Sequence, residues 1–185
     1  MGSSGGMMRR AVFLDRDGVI NRPVVHGRRP YAPRSLAELE LLPGVPQALQ
    51  ALKAAGYALV VVTNQPEVAR GTTASALVNA INGRLQAMLP LEAVLTCPHD
   101  NSDRCACRKP QPGLILRAAG ELRIDCAASY MIGDRWRDIE AGKRAGCKTI
   151  FVDCGYDEPP PAAFDFRVNS LPEAAGIILR TGIPS

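Results

Sequence analysis

The stretch that decides the fold is Ala11-Val12-Phe13-Leu14-Asp15-Arg16-Asp17-Gly18, in which four apolar residues stop abruptly at a pair of acids. A short, wholly apolar run is typical of a strand buried on both faces of a parallel sheet. Gly18 permits a tight turn that would let both carboxylates face one cavity. Such a pair can hold Mg²⁺, or attack phosphorus while handling a proton. Asp-x-Asp also occurs in solvated acidic loops, so this motif alone does not distinguish such a loop from a catalytic or metal site.

Strands and helices alternate beyond this stretch. The apolar patterns predict further strands over residues 58–62, 93–96, 129–132, 149–152 and 166–168, and helices over 44–55, 72–89, 113–122, 136–145 and 171–179. This alternation predicts a three-layer, doubly wound α/β fold with a mostly parallel sheet. Ligands bind at the carboxyl ends of strands in such sheets, and Asp15, Thr63, Cys97 and Asp134 each follow a predicted strand.

Composition predicts a single folded unit. The chain has 185 residues, of which 46% are hydrophobic and 22% charged, as expected for one globular domain. Residues 1–8 are small and polar and lack an apolar signal core, so we expect them to be disordered or additional to the natural chain, with one domain over 9–185. No apolar run reaches the roughly 20 residues of a membrane span. We therefore expect a cytoplasmic protein, monomeric and without a membrane partner.

A cysteine-rich loop over residues 97–107 predicts a second metal site. Cys97, His99, Cys105 and Cys107 supply three thiolates and one imidazole, a set that matches tetrahedral Zn²⁺ with no open position and hence a structural role. The alternative is a group of reactive or idle surface thiols. Because Arg108 and Lys109 follow Cys107 directly, zinc would also fix where those two side chains point.

Four motifs in order resemble those of the haloacid dehalogenase-like phosphatases. They are Leu14-Asp15-Arg16-Asp17-Gly18-Val19, the strand end Val60-Val61-Val62-Thr63-Asn64, Cys107-Arg108-Lys109-Pro110, and Gly133-Asp134 with Asp138 four residues on. The resemblance covers residues 10–153, and four ordered motifs are far more specific than any one of them. It implies the superfamily fold, and no segment between the motifs is long enough for a separate cap domain.

The resemblance also implies a role for each motif residue. Asp15 would be the nucleophile and form an aspartyl-phosphate, while Asp17 would act as general acid and base. Mg²⁺ would be held by Asp15, the backbone carbonyl of Asp17, and Asp134. Thr63 and Lys109 would contact the transferred phosphoryl group. Asp138 would lie near the metal's water ligands, although a first-turn carboxylate can also simply favour the helix dipole.

The zinc loop is similar to that of the heptose 1,7-bisphosphate phosphatases and the related histidinol-phosphate phosphatases. Asp15 to Asn21 and Thr63-Asn64-Gln65 look more like the heptose enzymes. The resemblance implies removal of the 7-phosphate from D-glycero-D-manno-heptose 1,7-bisphosphate, which supplies heptose for surface polysaccharide. Carried over by position, it implies that the substrate contacts are Pro23, Val24, Val25, His26, Asn64, Gln65, Pro66, Arg108 and Arg135.

Some features leave alternatives open. Pro66-Glu67-Val68 replaces the small residues expected after Asn-Gln, and Glu67 puts a negative charge near an anionic ligand. Histidinol phosphate is therefore a second candidate substrate, and a non-catalytic phosphate-binding protein is a candidate of another class. The intact motif set argues against the latter. A nucleic-acid partner is not expected, since no aromatic platform for bases is present. A flap loop over residues 21–35 contains Arg22, Arg28, Arg29 and Arg34, which could draw a distal phosphate.

Overall fold

The computed structural model describes residues 8–182, and residues 1–7 and 183–185 lie outside that description. The strands are β1 (Ala11–Leu14), β2 (Val24–His26), β3 (Arg29–Tyr31), β4 (Ala58–Asn64), β5 (Ala93–Cys97), β6 (Tyr130–Gly133), β7 (Lys148–Val152) and β8 (Phe166–Val168). The helices are α1 (Val45–Ala54), α2 (Ser75–Met88), α3 (Gly113–Leu122), α4 (Trp136–Ala145) and α5 (Leu171–Thr181). The expectation for residues 1–8 falls outside the described residues apart from Met8, which is exposed.

Six strands form one sheet in the order β5-β4-β1-β6-β7-β8, and every neighbouring pair in it is parallel. The chain winds outward from β1 through β4 to β5, then crosses back and continues from β6 to β8. The winding therefore reverses between β1 and β6, and the crevice at such a switch point is where doubly wound sheets bind ligands. Leu14 pairs with Ile132 at this point, so Asp15 and Asp134 leave the sheet beside each other.

Helices cover both faces of the sheet, as predicted. Val12 and Leu14 point to the face that packs against α1, α2 and α5, whereas Ala11 and Phe13 point to the face that packs against α3 and α4. Successive residues of a strand face opposite sides, and all four are fully buried. The apolar run that precedes Asp15 is thus anchored between two cores, which fixes the position of the acids that follow it.

The flap differs from the prediction. Residues 24–31 form a two-stranded antiparallel hairpin, β2–β3, in place of the loop predicted over 21–35. Gly27 and Arg28 make its turn with φ of 55° and 63°, and three-residue strands containing Pro30 are too short to show an alternating pattern. Short 3₁₀ helices cover Leu36–Glu38 and, within the cysteine loop, Asn101–Asp103. No helix in residues 8–182 combines the length and apolarity needed to cross a bilayer.

Candidate active site

A buried cluster of three carboxylates and one ammonium occupies the switch point. Lys109 Nζ lies 2.7 Å from Asp15 Oδ1 and 2.7 Å from Asp138 Oδ1, and it donates to the Val62 carbonyl oxygen at 2.7 Å. Oxygens of Asp15, Asp134 and Asp138 lie within 4.8 Å of one another. Three acids around one lysine leave an excess of negative charge, which a divalent cation would balance.

The electrostatics of the cluster agree with this reading. Burial raises the pKa of Asp15 to about 6, with the charge of Asp138 adding to the effect and Lys109 opposing it. Burial, followed by the charges of Asp15 and Asp138, raises the pKa of Asp134 well above its usual value. For Lys109, burial lowers the pKa, but the carboxylates of Asp138 and Asp15 outweigh it and the net change is upward. The lysine therefore stays charged, Asp134 is driven towards its protonated form in the absence of a further cation, and Asp15 takes up a proton mainly below about pH 6.

Asp134 provides the clearest test of whether a metal ion fits. Both its carboxylate oxygens are buried without a hydrogen bond of good geometry from the described residues, and the neighbouring Tyr156 hydroxyl lowers the pKa of the acid without outweighing the effect of burial. Such an arrangement is costly for a charged group without a ligand. Gly18 makes room for it: at φ 93°, a Cβ on Gly18 would lie 1.9 Å from Asp134 Oδ2. The oxygen ligands, their burial and their unmet bonding capacity all suit Mg²⁺.

Asp17 lies beside this cluster with its side chain in a separate network. Its carboxylate accepts hydrogen bonds from Asn21 Nδ2 at 2.9 Å, Gln65 Nε2 at 2.9 Å and Arg16 at 3.0 Å. Arg16 is fully buried and also donates to Asn82 Oδ1 at 2.8 Å. These donors orient the Asp17 carboxylate at the wall of a cavity of about 500 Å³. The predicted metal contact of Asp17 is through its backbone carbonyl, which this network does not use.

The end of β4 supplies the next group of predicted residues. Thr63 is buried at the cavity wall, and its hydroxyl oxygen accepts a hydrogen bond from Gln65 Nε2 at 3.0 Å. Asn64 donates to the Lys109 carbonyl oxygen at 3.0 Å and accepts from the Lys109 N–H at 3.1 Å. Asn64, predicted as a substrate contact, thus clamps the backbone of Lys109, and Gln65 links Thr63 to Asp17. Pro66 also lines the cavity.

The cysteine loop brings its four predicted ligands together. Cys97 Sγ lies 3.1 Å from Cys107 Sγ and 3.6 Å from Cys105 Sγ, and His99 Nδ1 lies 3.3 Å from Cys107 Sγ. In a tetrahedral zinc site with Zn–S bonds of about 2.3 Å, the sulfurs lie about 3.8 Å apart, so the four donors are grouped as such a site requires. The same loop holds Arg108, which donates to Asn101 Oδ1 at 2.8 Å and to the His99 carbonyl oxygen at 3.1 Å.

The predicted substrate contacts of the flap lie elsewhere. Pro23, Val24, Val25 and His26 are not among the residues that line the cavity, whereas Arg28, Arg29, Pro30 and Tyr31 are. The hairpin explains this, because β3 and the turn, rather than β2, form the cavity wall. Pro23 and Val25 border a second, largely apolar cleft. Of the other flap arginines, Arg22 pairs with Glu40 and Arg34 is not in the wall.

Several wall residues were not predicted. Arg137 and Tyr156 line the cavity, and Glu158 binds the predicted contact Arg135 through two hydrogen bonds of 2.7 and 2.6 Å. Arg137 could have been found from its place in Gly133-Asp134-Arg135-Trp136-Arg137-Asp138, next to the fourth motif. Tyr156 and Glu158 belong to a Pro-rich loop after β7 that carries no local signal for the site.

Comparison with known proteins shows which family has a sequence similar to this chain. The HAD-hydrolase-like family model matches residues 106–174. A D-glycero-beta-D-manno-heptose-1,7-bisphosphate 7-phosphatase of Escherichia coli K12 is 37% identical over 190 aligned positions, which cover 95% of this chain and 96% of that protein. One from Pasteurella multocida is 38% identical over 160 positions, covering 80% and 84%. The chain belongs to the heptose-1,7-bisphosphate 7-phosphatase family of HAD-like hydrolases.

Solved structures of similar phosphatases share the fold described above. The D,D-heptose 1,7-bisphosphate phosphatase of B. bronchiseptica, complexed with magnesium and phosphate, superposes with a TM-score of 0.76 at 31% identity, covering 94% of this chain and 99% of that one. A putative HAD-like phosphatase from Mesorhizobium loti gives 0.76 at 30% identity, covering 100% and 93%. The predictions of a HAD-like α/β fold and of a phosphatase are therefore confirmed.

Proposed function

We propose that this protein removes the 7-phosphate of D-glycero-D-manno-heptose 1,7-bisphosphate through an aspartyl-phosphate on Asp15. The observation that carries the proposal is the buried group of Asp15, Lys109, Asp134 and Asp138 at the switch point. It occurs in a chain that is 37% identical, over nearly its whole length, to a 7-phosphatase of that sugar.

Asp15 would attack phosphorus in this scheme, and the neighbouring side chains would stabilise the charge that moves. Lys109 is held between Asp15 and Asp138, so its ammonium would stand beside the attacked phosphoryl group. The hydroxyl of Thr63 would donate to a phosphoryl oxygen. Because phosphoryl transfer depends mainly on positioning, the Asn64 clamp on the Lys109 backbone serves catalysis directly.

Asp17 would handle the protons. It would protonate the sugar oxygen as the bond to phosphorus breaks, and then accept a proton from the water that hydrolyses the aspartyl-phosphate. Asn21, Gln65 and Arg16 would keep its carboxylate aimed at the cavity through both steps.

Mg²⁺ would be held by the carboxylates of Asp15 and Asp134 and the backbone carbonyl of Asp17, with Asp138 close by. When bound, the ion supplies positive charge that offsets the repulsion between carboxylates and phosphate. Zn²⁺ held by Cys97, His99, Cys105 and Cys107 would be structural, and would fix Arg108 and Lys109 at the cavity. We further propose that residues 9–185 act as one domain and a monomer, in the cytoplasm, on a small phosphorylated sugar.

A substrate panel tests the proposal. Both anomers of the heptose 1,7-bisphosphate and histidinol phosphate are assayed with Mg²⁺, and ³¹P NMR identifies which phosphate leaves. We expect the highest kcat/KM for a heptose bisphosphate, with release of the 7-phosphate. Asp15→Asn is the matched control and should be inactive while still folded. A higher kcat/KM for histidinol phosphate would overturn the sugar assignment but leave the phosphatase chemistry standing.

A further inference from the structure

The loop between β7 and β8 places a tyrosine against the candidate metal ligand Asp134. A Cβ at Gly18 would lie 1.9 Å from Asp134 Oδ2 and 2.8 Å from the Tyr156 hydroxyl oxygen, so the hydroxyl and the carboxylate border the same small space. Tyr156 is half-buried and also lines the catalytic cavity, whereas the two oxygens of Asp134 are fully buried. The loop therefore brings a hydrogen-bonding group to a buried acid that is short of partners.

The Tyr156 hydroxyl has the chemistry to hold this acid in its charged form. A phenol keeps its proton at neutral pH and can donate it in a hydrogen bond. Burial raises the pKa of Asp134, and the Tyr156 hydroxyl opposes that rise, as a donor does when it favours a carboxylate. A carboxylate has two oxygens, so one can bind a metal ion while the other accepts from a donor. Carboxylates that bind metal ions in proteins are themselves held by hydrogen bonds of this kind.

Hydrogen bonds fix the loop on both sides of Tyr156. On one side, the Gly155 carbonyl oxygen accepts from an arginine of the hairpin turn at 3.2 Å. On the other side, Glu158 accepts from Arg135, the residue that follows Asp134, at 2.7 and 2.6 Å. The loop therefore contacts two consecutive residues at the end of β6, which gives the tyrosine a defined position beside the acid.

We propose that Tyr156 is a positioning residue that holds the Asp134 carboxylate in the orientation that binds Mg²⁺. The inference deepens the proposed function and rests on the Mg²⁺ site described there. The hydroxyl acts through Asp134 and makes no contact with the reacting phosphate. Its loss should therefore weaken binding of the ion and leave the chemistry of the loaded site unchanged.

Tyr156→Phe removes only the hydroxyl, and calorimetric titration of the magnesium-free protein with MgCl₂ measures the effect. We expect Kd for Mg²⁺ to rise about 10- to 100-fold, the usual loss when a hydrogen-bond partner of a metal ligand is removed. The Mg²⁺ concentration that half-activates hydrolysis of p-nitrophenyl phosphate should rise by the same factor. At saturating Mg²⁺, kcat and KM for this ester should stay within about twofold of wild type.

Tyr130→Phe is the matched control. The Tyr130 hydroxyl is buried on β6, the strand that leads to Asp134, and it has no hydrogen-bond partner within the described residues. The same group is thus removed close to the site without touching the acid, so Kd for Mg²⁺ should stay within about twofold of wild type. Thermal unfolding without Mg²⁺ checks that both variants fold. An unchanged Kd in Tyr156→Phe, or an equal rise in Tyr130→Phe, would overturn the positioning role.

Asp134→Asn separates this inference from the function proposed above. If wild type binds Mg²⁺ and Asp134→Asn does not, the metal site stands, and Kd in Tyr156→Phe decides the positioning role alone. If wild type binds no Mg²⁺, or Asp134→Asn binds it as tightly, the metal site and the role of Tyr156 are both wrong. If Tyr156→Phe binds Mg²⁺ more weakly but wild type hydrolyses no heptose bisphosphate, the proposed substrate is wrong and the positioning role stands.

Discussion

Replacing Gly18 by alanine separates the geometry of the candidate metal site from the stability of the fold. The backbone at Gly18 has φ of 93°, and an added Cβ would lie 1.9 Å from Asp134 Oδ2 and 2.7 Å from Asp134 Cγ. Ordinary contact begins near 3.4 Å, so the carboxylate would have to retreat by about 1.5 Å. Metal sites tolerate changes of only about 0.2 Å in ligand distance, and misplacing a reacting group by about 1 Å can cost about 100-fold in rate.

Gly56→Ala is the control for this prediction. Gly56 has φ of 87°, and its added Cβ would meet nothing within 4 Å. Both variants carry the same left-handed backbone strain, about 1–2 kcal/mol in the free energy of unfolding, but only Gly18→Ala displaces Asp134. We expect kcat/KM with Mg²⁺ to fall at least about 100-fold in Gly18→Ala and to stay within about twofold in Gly56→Ala. Thermal unfolding with and without Mg²⁺ should show that Gly18→Ala also loses stabilisation by the ion.

Equal activity in the two alanine variants would refute the reasoning. It would mean that Asp134 can move aside without loss, and hence that its carboxylate is not fixed for a ligand. A large activity loss in both variants would instead attribute the effect to backbone strain.

Three further predictions concern the other charges and ligands. Lys109→Met should lower kcat about 100- to 1000-fold, because it removes the cation beside the phosphoryl group. It should also lower the free energy of unfolding of the metal-free protein by about 3–5 kcal/mol, because the buried acids lose their partner. The control Lys143→Met, an exposed change on α4, should have neither effect. Because burial raises the pKa of Asp15 to about 6, protons should compete with Mg²⁺ below that pH, and the apparent Kd for Mg²⁺ measured by calorimetry should rise as pH falls from 7 to 5. Cys107→Ser should lower the zinc content from about one equivalent per chain and raise KM through Arg108.

Each of these has a contradicting result. Full activity in Lys109→Met would remove the lysine from the mechanism. A Kd for Mg²⁺ that does not change between pH 5 and 7 would show that the Asp15 carboxyl does not bind the ion. The raised pKa of Asp15 also predicts how stability depends on pH. Because this pKa is higher in the folded chain than in the unfolded chain, the free energy of unfolding of the metal-free protein should fall as pH rises from about 4 to about 6. Absence of zinc in freshly prepared, reduced protein would remove the structural zinc site.

The parts of the structure that local sequence patterns determine were predicted well. The apolar runs before Asp15, Thr63 and Asp134 identified three strands of the sheet, and their parallel pairing brought the residues that follow them to one edge. The cysteine loop also carried a local signal, because its four candidate ligands fall within eleven residues. In these cases the chemistry and the element that positions it are neighbours in the chain.

Contacts between residues far apart in sequence were not predictable in the same way. Asn64 contacts the Lys109 backbone across a separation of 45 residues, and Gln65 contacts Asp17 across 48. No local sequence pattern indicates such pairs. Asn64 and Gln65 were therefore predicted to be substrate contacts from their positions in the motif alone. The β2–β3 hairpin was missed because its strands have three residues each, too few to show alternation, and this shifted the flap residues at the cavity from β2 to β3 and the turn.

The most direct measurement is detection of the phosphorylated intermediate. Asp17→Asn is mixed with p-nitrophenyl phosphate and Mg²⁺, quenched in acid and digested, and the peptide that carries the phosphoryl group is identified by mass spectrometry. Because p-nitrophenolate leaves without being protonated, the aspartyl-phosphate should still form in this variant. Its hydrolysis requires Asp17 as the base and should therefore stall. We predict close to one phosphoryl group per chain on Asp15, and none in Asp15→Asn. A phosphoryl group on another residue, or rapid product formation by Asp15→Asn, would contradict the assignment of Asp15 as the nucleophile.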